Sequence, residues 1–368
     1  MKKLFYQFSR RIDKDLFLLW FEKTNRYLVI SESQKEIIDL FNKSGNLNSF
    51  LNNSNLLTAT KIFKELSNLS IDLLSYNESA DMQEESIEIE FNDFNYSISI
   101  EILNRKITFF SNNKNDLFFF TSHLHHKQSN FDFADSEFHV YISNDKIFLY
   151  ENKEFCYQWS RNEYHLFQGK LDTLILSSVH QIAEKDWLGI FHASALVKNN
   201  KSTMLIGDSG NGKSIASLIL SKNSYGLLCD DICAVSRNGS ICIYPNAVSV
   251  KSSAIEKVNE YYDKSEFISS IKNFKGEIKY VYPMNQTKNL KHNYPIENIV
   301  YVKFSTKNNF KKVGLKKIIE TIVNQSWLSP KKETPNFLTE LLVSTNFYEL
   351  EYMNDSFLVD SFNKIYGE

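Results

Sequence analysis

The sequence predicts an α/β protein, α+β overall, built around a phosphate-binding-loop core, and three observations carry that expectation. First, Ser202-Thr203-Met204-Leu205-Ile206 reads as a short apolar strand entering Gly207-Asp208-Ser209-Gly210-Asn211-Gly212-Lys213-Ser214, and Ile215 to Ser221 reads as the helix leaving it. Second, after that single helix, Gly226-Leu227-Leu228-Cys229 reads as a buried strand ending in Asp230 and Asp231. Third, residues 85–165 break into short strand-like runs separated by Asn/Asp/Lys turns, the pattern of a mostly antiparallel sheet.

The loop fits G-x-x-x-x-G-K-[ST]. In that pattern backbone N–H groups cradle phosphates, the lysine reaches the outer phosphates and the hydroxyl holds Mg²⁺. A phosphate bound here would sit on a helix N-terminus, where the free N–H groups and the helix dipole favour an anion. Successive strand side chains point to opposite faces, so Asp230 and Asp231 are not expected to share one task. One can complete the Mg²⁺ shell with Ser214 while the other points toward an acceptor hydroxyl.

With these motifs in place, His192-Ala193-Ser194-Ala195-Leu196, the loop and Leu227-Leu228-Cys229-Asp230-Asp231 resemble, in order, the catalytic core of HPr kinase/phosphorylase and its relatives. The resemblance spans roughly residues 170–350 and is concentrated in 190–250. It implies a nucleotide-binding core shared with ATP-dependent phosphoenolpyruvate carboxykinases, Mg²⁺ and ATP as cofactors, and serine phosphorylation. By position it implies that Gly207 through Ser214 bind phosphate, that Lys213 and Ser214 reach phosphate and metal, and that His192 lies near the transferred phosphate. The aspartates would supply a base and a metal contact; Asp230 is taken as the base and Asp231 as the metal-side carboxylate, an order the sequence leaves open.

Departures from that family narrow the expectation. Downstream of Asp231 the glycines are Gly239, Gly276, Gly314 and Gly367, none in the glycine-rich segment that HPr kinases carry, so a bifunctional kinase/phosphorylase is not expected. Tyr244-Pro245-Asn246-Ala247-Val248-Ser249-Val250-Lys251 is similar to a segment of superfamily kinases from peptide natural-product clusters, including those of lasso peptides, which phosphorylate a serine of a precursor peptide. No arginine follows Arg237, so a cation contributed by the C-terminal third must be a lysine, and Lys251 is the candidate.

At the N-terminus, Leu16 to Phe21, a turn at Lys23-Thr24-Asn25, and Arg26 to Ile30 read as a hairpin. Ser31-Glu32-Ser33-Gln34 offers a capping box to a helix through Glu36 to Phe41. Two further helices are expected over Asn48–Leu57 and Thr58–Leu69, with Ile71 to Leu74 as an exit. Strands followed by short helices over 10–76 resemble the PqqD-like element, a small winged-helix module that binds leader peptides. This implies a precursor peptide partner adding as a strand to an open sheet edge. A DNA-binding winged helix is disfavoured, because the basic residues at Arg10-Arg11 are not repeated along the expected helices.

Between these regions strands are expected at Ile87–Phe91, Tyr96–Ile102, Ile107–Phe110, Leu117–Thr121, His139–Ile142 and Ile147–Tyr150, and a helix over Leu171–Trp187. His123, His125 and His126 read as a polar loop rather than a metal site, having no cysteine nearby. Cys156, Cys229, Cys233 and Cys242 lack paired spacing and read as reduced thiols of a cytoplasmic protein. In 368 residues, 42% hydrophobic content allows two or three ordinary cores. A formal charge of -2 gives no footprint for nucleic acid, and no stretch approaches the ~20 apolar residues that span a bilayer. The expected division is 1–80 for peptide recognition, 81–168 for the β-rich region and 169–368 for the P-loop domain, with homo-oligomer formation left open. The expected activity is an ATP- and Mg²⁺-dependent kinase acting on a serine of a ribosomally made peptide. The alternatives are a kinase for a small molecule or another protein, or a nucleotide-dependent binding protein without turnover.

Overall fold

In the computed structural model, which describes residues 5–44, 90–273, 276–283 and 290–367, β1 (Phe8–Asp13), β2 (Leu16–Phe21) and β3 (Arg26–Ser31) form an antiparallel sheet in that order. The run L-F-L-L-W-F in β2 is apolar on both faces because both are covered. Leu16 and Leu18 join the main core, while Leu19 and Phe21 pack with Ile30 and Ile38 of α1 (Glu32–Ser44). The capping box forms: Ser31 N–H donates to Gln34 Oε1 at 2.8 Å and Gln34 N–H to Ser31 Oγ at 3.3 Å. The helices expected over Asn48–Leu57 and Thr58–Leu69, the exit at Ile71–Leu74 and the start of the strand expected at Ile87–Phe91 lie outside the described residues.

A second sheet contains β4 (Tyr96–Ile102), β5 (Arg105–Ser111), β6 (Ser136–Ile142), β7 (Lys146–Glu151) and β8 (Glu154–Ser160) in sequential order, antiparallel except for the parallel pair β5–β6. A parallel pair needs a crossover, and α2 (Lys114–Thr121) lies within it. The expectation of a strand at Leu117–Thr121 is thereby corrected. Asn113 caps that helix, its side chain accepting from the N–H groups of Asn115 and Asp116. Phe91 likewise begins a 3₁₀ turn (Phe91–Asp93) rather than ending a strand. His123 is also corrected: it sits in a 3₁₀ turn (Ser122–Lys127) and is buried, because Asp172 and Tyr244 receive it inside the protein.

The helix expected over Leu171–Trp187 is α3 (Tyr164–His180). It stops where Gln181 turns left-handed at φ 55, and Trp187 already belongs to the next strand. Phe167, Leu171 and Ile175 of α3 are fully buried in a cluster shared by the five-stranded sheet and the sheet that follows.

The remaining chain runs β9 (Trp187–Phe191), β10 (Ser194–Lys198), β11 (Lys201–Ile206), α4 (Lys213–Lys222), β12 (Gly226–Cys229), β13 (Cys233–Ser236) and β14 (Ser240–Cys242). It continues through β15 (Val248–Lys251), α5 (Ile255–Asn259), β16 (Phe267–Asn273), β17 (Gly276–Val281), β18 (Asn293–Phe304), β19 (Asn309–Val313), α6 (Ile319–Asn324), β20 (Ser326–Leu328), α7 (Thr334–Ser344), β21 (Asn346–Tyr352) and α8 (Asp355–Tyr366). The main sheet has the order β12-β10-β11-β18-β14-β13-β9-β20, with β21 pairing both β18 and β19; β15, β17 and β16 form a separate small sheet. This is a mixed α/β fold.

The pairing directions bring the site together. β11 runs antiparallel to β10, and β10 antiparallel to β12, so the ends of β11 and β12 meet the start of β10 on one edge. β9 pairs antiparallel with both β13 and β20, so Phe191 lies opposite Cys233 and Ser326, and the residues just beyond meet at the same edge. Ligand sites of α/β sheets form at such carboxyl ends.

Candidate active site

The loop from Gly207 to Ser214 joins β11 to α4 and has the conformation its glycines predict. Gly207 has φ +151, and a Cβ there would lie 2.7 Å from the carbonyl oxygen of Val302, so only glycine lets the strand turn this close to β18. Gly212, at φ +86, sits where α4 starts. Lys213 is buried and donates to the Gly207 carbonyl at 2.6 Å; burial pushes its ammonium below the usual lysine range, while Asp231, Asp230 and Asp208 hold it up in part. Asp208, Ser209 and Gly210 form the exposed crown. Asp208 is fixed on two sides, accepting from the Tyr301 hydroxyl at 2.8 Å and from Gln325 Nε2 at 3.2 Å.

The two aspartates face different ways, but through the turn rather than through strand alternation, because β12 ends at Cys229 and both residues lie beyond it. Asp231 has φ 69, a left-handed conformation that aspartate tolerates better than most residues, and Ile232 N–H closes the turn onto the Asp230 carbonyl at 2.8 Å. Asp230 is buried. Its Oδ2 accepts from the Ser214 hydroxyl at 3.0 Å and its Oδ1 from the Ser194 hydroxyl. Asn246 clamps the Asp230 backbone, accepting from its N–H at 3.1 Å and donating to its carbonyl at 2.8 Å. Burial and the neighbouring Asp231 charge push the Asp230 carboxyl up to about 6 despite the hydroxyls.

Asp231 is exposed to the adjoining cavity, and its Oδ1 lies 2.9 Å from His192 Nδ1. Its surroundings desolvate it, but His192, Lys213 and Lys251 outweigh that and leave the carboxyl below its usual range. The hydrogen bond to Asp231 in turn raises His192 above its ordinary value, against the effect of burial. The His192 backbone N–H donates to the Gln325 carbonyl at 3.0 Å, so Gln325 joins the histidine to the phosphate loop through Asp208. Lys251, exposed at the end of β15, acts on Asp231 and Lys213 through its charge.

The residue beside Ser214 is therefore Asp230, and the one beside His192 is Asp231. Hard oxygen donors from a hydroxyl and a carboxylate suit Mg²⁺, which keeps several waters and takes further ligands from phosphates. Among the described residues no cluster of three or more His, Cys, Asp or Glu side chains is placed to hold a metal. The elevated Asp230 carboxyl fits that role, because an opposing cation removes the cost of its buried charge.

Ser194, Asn246, Tyr301 and Gln325 were missed as site residues. Ser194 had a signal, since it lies two residues beyond His192 in an otherwise apolar run. Gln325 and Tyr301 had none, because their positions depend on strand pairings far along the chain.

A cavity of about 1140 Å³ opens on the His192–Asp231 side, bounded by α3, β8, β15, β17 and β20. At its wall Asp172 is buried and fully engaged: Oδ1 accepts from the Tyr244 hydroxyl at 2.7 Å and meets His123 Nε2 at 2.9 Å, and Oδ2 accepts from Gln168 at 3.1 Å.

No protein-family model matches the chain, and no curated protein does. Among solved structures, the chain is similar to the HPr(Ser) kinase/phosphatase from Coxiella burnetii with a TM-score of 0.24 and 11% identity, over 48% of this chain and 99% of that one. At that TM-score the assignment of function rests on the chain's own geometry. No helix among the described residues is long and apolar enough to cross a membrane.

Proposed function

We propose that this protein is an ATP- and Mg²⁺-dependent kinase that transfers the γ-phosphoryl group to a serine hydroxyl of a ribosomally made precursor peptide. The observation that carries the reading is the division of Asp230 and Asp231 across one turn, with one carboxylate on the loop serine and the other on a histidine facing an open cavity. A site that only bound nucleotide would need the first arrangement but not the second.

We assign the two roles in the opposite order to the one taken from sequence. Asp230 with Ser214 would hold Mg²⁺, which when bound neutralises charge on the phosphate oxygens. Asp231 becomes the base: as the acceptor oxygen bonds to the γ-phosphorus and the β–γ bridging bond breaks, releasing ADP, the hydroxyl proton passes to the Asp231 carboxylate. His192 orients that carboxylate and shares its proton. Lys213 and the loop N–H groups bind phosphate oxygens, and Lys251 adds positive charge on the acceptor side. Phosphoryl transfer depends mainly on such positioning and charge neutralisation.

Recruitment through the N-terminal sheet is supported by two features. β3 ends the three-stranded sheet and, among the described residues, pairs only with β2, which leaves an edge on which a leader strand can add. The hairpin also docks on β20, Asn25 Nδ2 donating to the Leu328 carbonyl at 2.7 Å, while Ser326 and Trp327 of the same strand line the cavity. The hairpin turn is thus tied to a strand that also lines the acceptor cavity.

The test is intact-mass analysis of short peptides encoded beside this gene, incubated with the protein, Mg²⁺ and ATP, with Lys213→Ala as control. Gain of one phosphoryl group that the variant does not produce supports the reading. ATP binding without any peptide modification sinks it in favour of a small-molecule acceptor or a nucleotide-dependent binding protein.

A further inference from the structure

Away from His192 and Asp231 the cavity wall becomes aromatic. Tyr157 and Trp159 of β8, Phe119 of α2, Tyr164 of α3 and Trp327 of β20 all line it, and each keeps part of its surface accessible. Of the charged or titratable groups on this wall, Lys170, Glu184 and Asp172 are engaged by the protein, and the exposed His165 also lines it. Lys170 forms an ion pair with Glu184 and lies 4.4 Å over the Tyr157 ring, and Asp172 is saturated by Tyr244, His123 and Gln168. An incoming ligand meets the accessible parts of these rings there, with Tyr157 already covered on one face by Lys170.

The wall lies on the acceptor side. None of Gly207 to Ser214 lines the cavity, whereas His192, Asp230 and Asp231 do. At about 1140 Å³ the space exceeds the usual ~300–1,000 Å³ of small-ligand pockets, so it holds more than a single serine side chain. Ring pairs stack or meet edge to face at a gain beyond their buried area.

We propose that the Tyr157–Trp159–Tyr164–Trp327 wall is a specificity subsite that takes an aromatic side chain of the acceptor peptide, carried within a few residues of the hydroxyl presented to Asp231. The proposal rests on the kinase reading for the identity of the acceptor end, but binding can be measured without turnover. Tyr157 and Trp159 come from the five-stranded sheet, so that sheet would form part of the substrate site and not only a support for the core.

The experiment is calorimetric titration of the full-length protein with blocked pentapeptides. Each has a central serine among alanines, and tryptophan or phenylalanine replaces alanine at one position at a time. An aromatic residue in at least one register should tighten binding about tenfold over the all-alanine parent. Trp327→Ala, a change at a partly exposed position, and Trp159→Ala should each bring that ratio toward one, with Mg-ATP affinity measured as the control for folding. Equal affinity for aromatic and alanine peptides overturns the proposal, as does a preference that survives both substitutions. Displacement of the aromatic peptide by adenosine alone also overturns it, by assigning the wall to the nucleobase. Phosphate transfer to the same peptides is scored separately. Aromatic preference without transfer retains the subsite and leaves the kinase reading to the assay on full-length peptides; transfer without preference supports the kinase reading and removes the subsite.

Discussion

Nδ1 of His192 lies 2.9 Å from Oδ1 of Asp231, joining the residue just past the end of β9 to the turn between β12 and β13. Neighbouring strands deliver the two residues to the same edge, and the left-handed backbone of Asp231 turns its carboxylate outward to the histidine while Asp230 stays buried.

If Asp231 accepts the hydroxyl proton, Asp231→Asn should lower kcat roughly 10²–10⁴-fold while leaving Mg-ATP affinity nearly unchanged. Asparagine also tolerates the left-handed conformation, so the backbone should persist. Rapid-quench transfer assays beside calorimetry for nucleotide would check this, and a parallel loss of nucleotide affinity would count against the assignment.

Asp230→Asn should act on the metal instead. Saturating the wild type with Mg-ATP at about 100 times Kd should stabilise it by about 2.7 kcal/mol, and the variant should lose most of the Mg²⁺-dependent part of that gain. Without metal the sign reverses. The Asp230 carboxyl is raised in the folded state from 3.8 to about 6, so its contribution to stability is present below 3.8 and lost as pH rises through about 6. The metal-free variant should therefore melt above the wild type at pH 7–8 and lose that advantage progressively as pH falls from about 6 to below 3.8, as thermal melts across the range would show.

For His192 the shift is also upward, caused first by the hydrogen bond to Asp231. Its stabilising effect is complete below the ordinary histidine value of about 6.5 and disappears as pH rises through the raised folded value. His192→Gln keeps a donor but cannot titrate. The Tm difference between wild type and variant should shrink from about pH 6 to pH 8, and a difference that stays constant with pH would remove the ion pair from the account.

Asn25→Ala should destabilise the protein by about 1–3 kcal/mol. It deletes the bond to the Leu328 carbonyl and leaves the Trp20 indole N–H, which donates to Asn25 Oδ1 at 2.9 Å in a nearly buried setting, without its partner. Asn25→Asp restores the acceptor for Trp20 but not the donor for Leu328, so it should recover part of the loss in denaturant melts.

Much of this was legible in the chain because the determinants are local. Gly207, Gly212, Lys213 and Ser214 specify the turn from β11 into α4 through conformational freedom confined to eight residues, and Ser31 with Gln34 specifies a helix start in the same way. The adjacency of Asp230 and Asp231 was legible, but their different partners follow from the turn beyond β12, where Asp231 is left-handed. Helix α2 was misread because Leu117 to Thr121 has strand-like composition; Asn113 and the parallel β5–β6 crossover decide the matter.

The sequence by itself determined the loop, the order of its acidic and histidine partners, and the hairpin with its capped helix, since each depends on residues near one another in the chain. Which aspartate faces Ser214, the buried engagement of His123, the tie from Gln325 to both His192 and Asp208, and the aromatic wall were decided only by tertiary structure. Those features arise where β9, β12, β13 and β20 pair and where α3 packs between sheets. The physical reason is that burial and facing direction are properties of strand pairing and packing, which bring together residues that no local pattern connects.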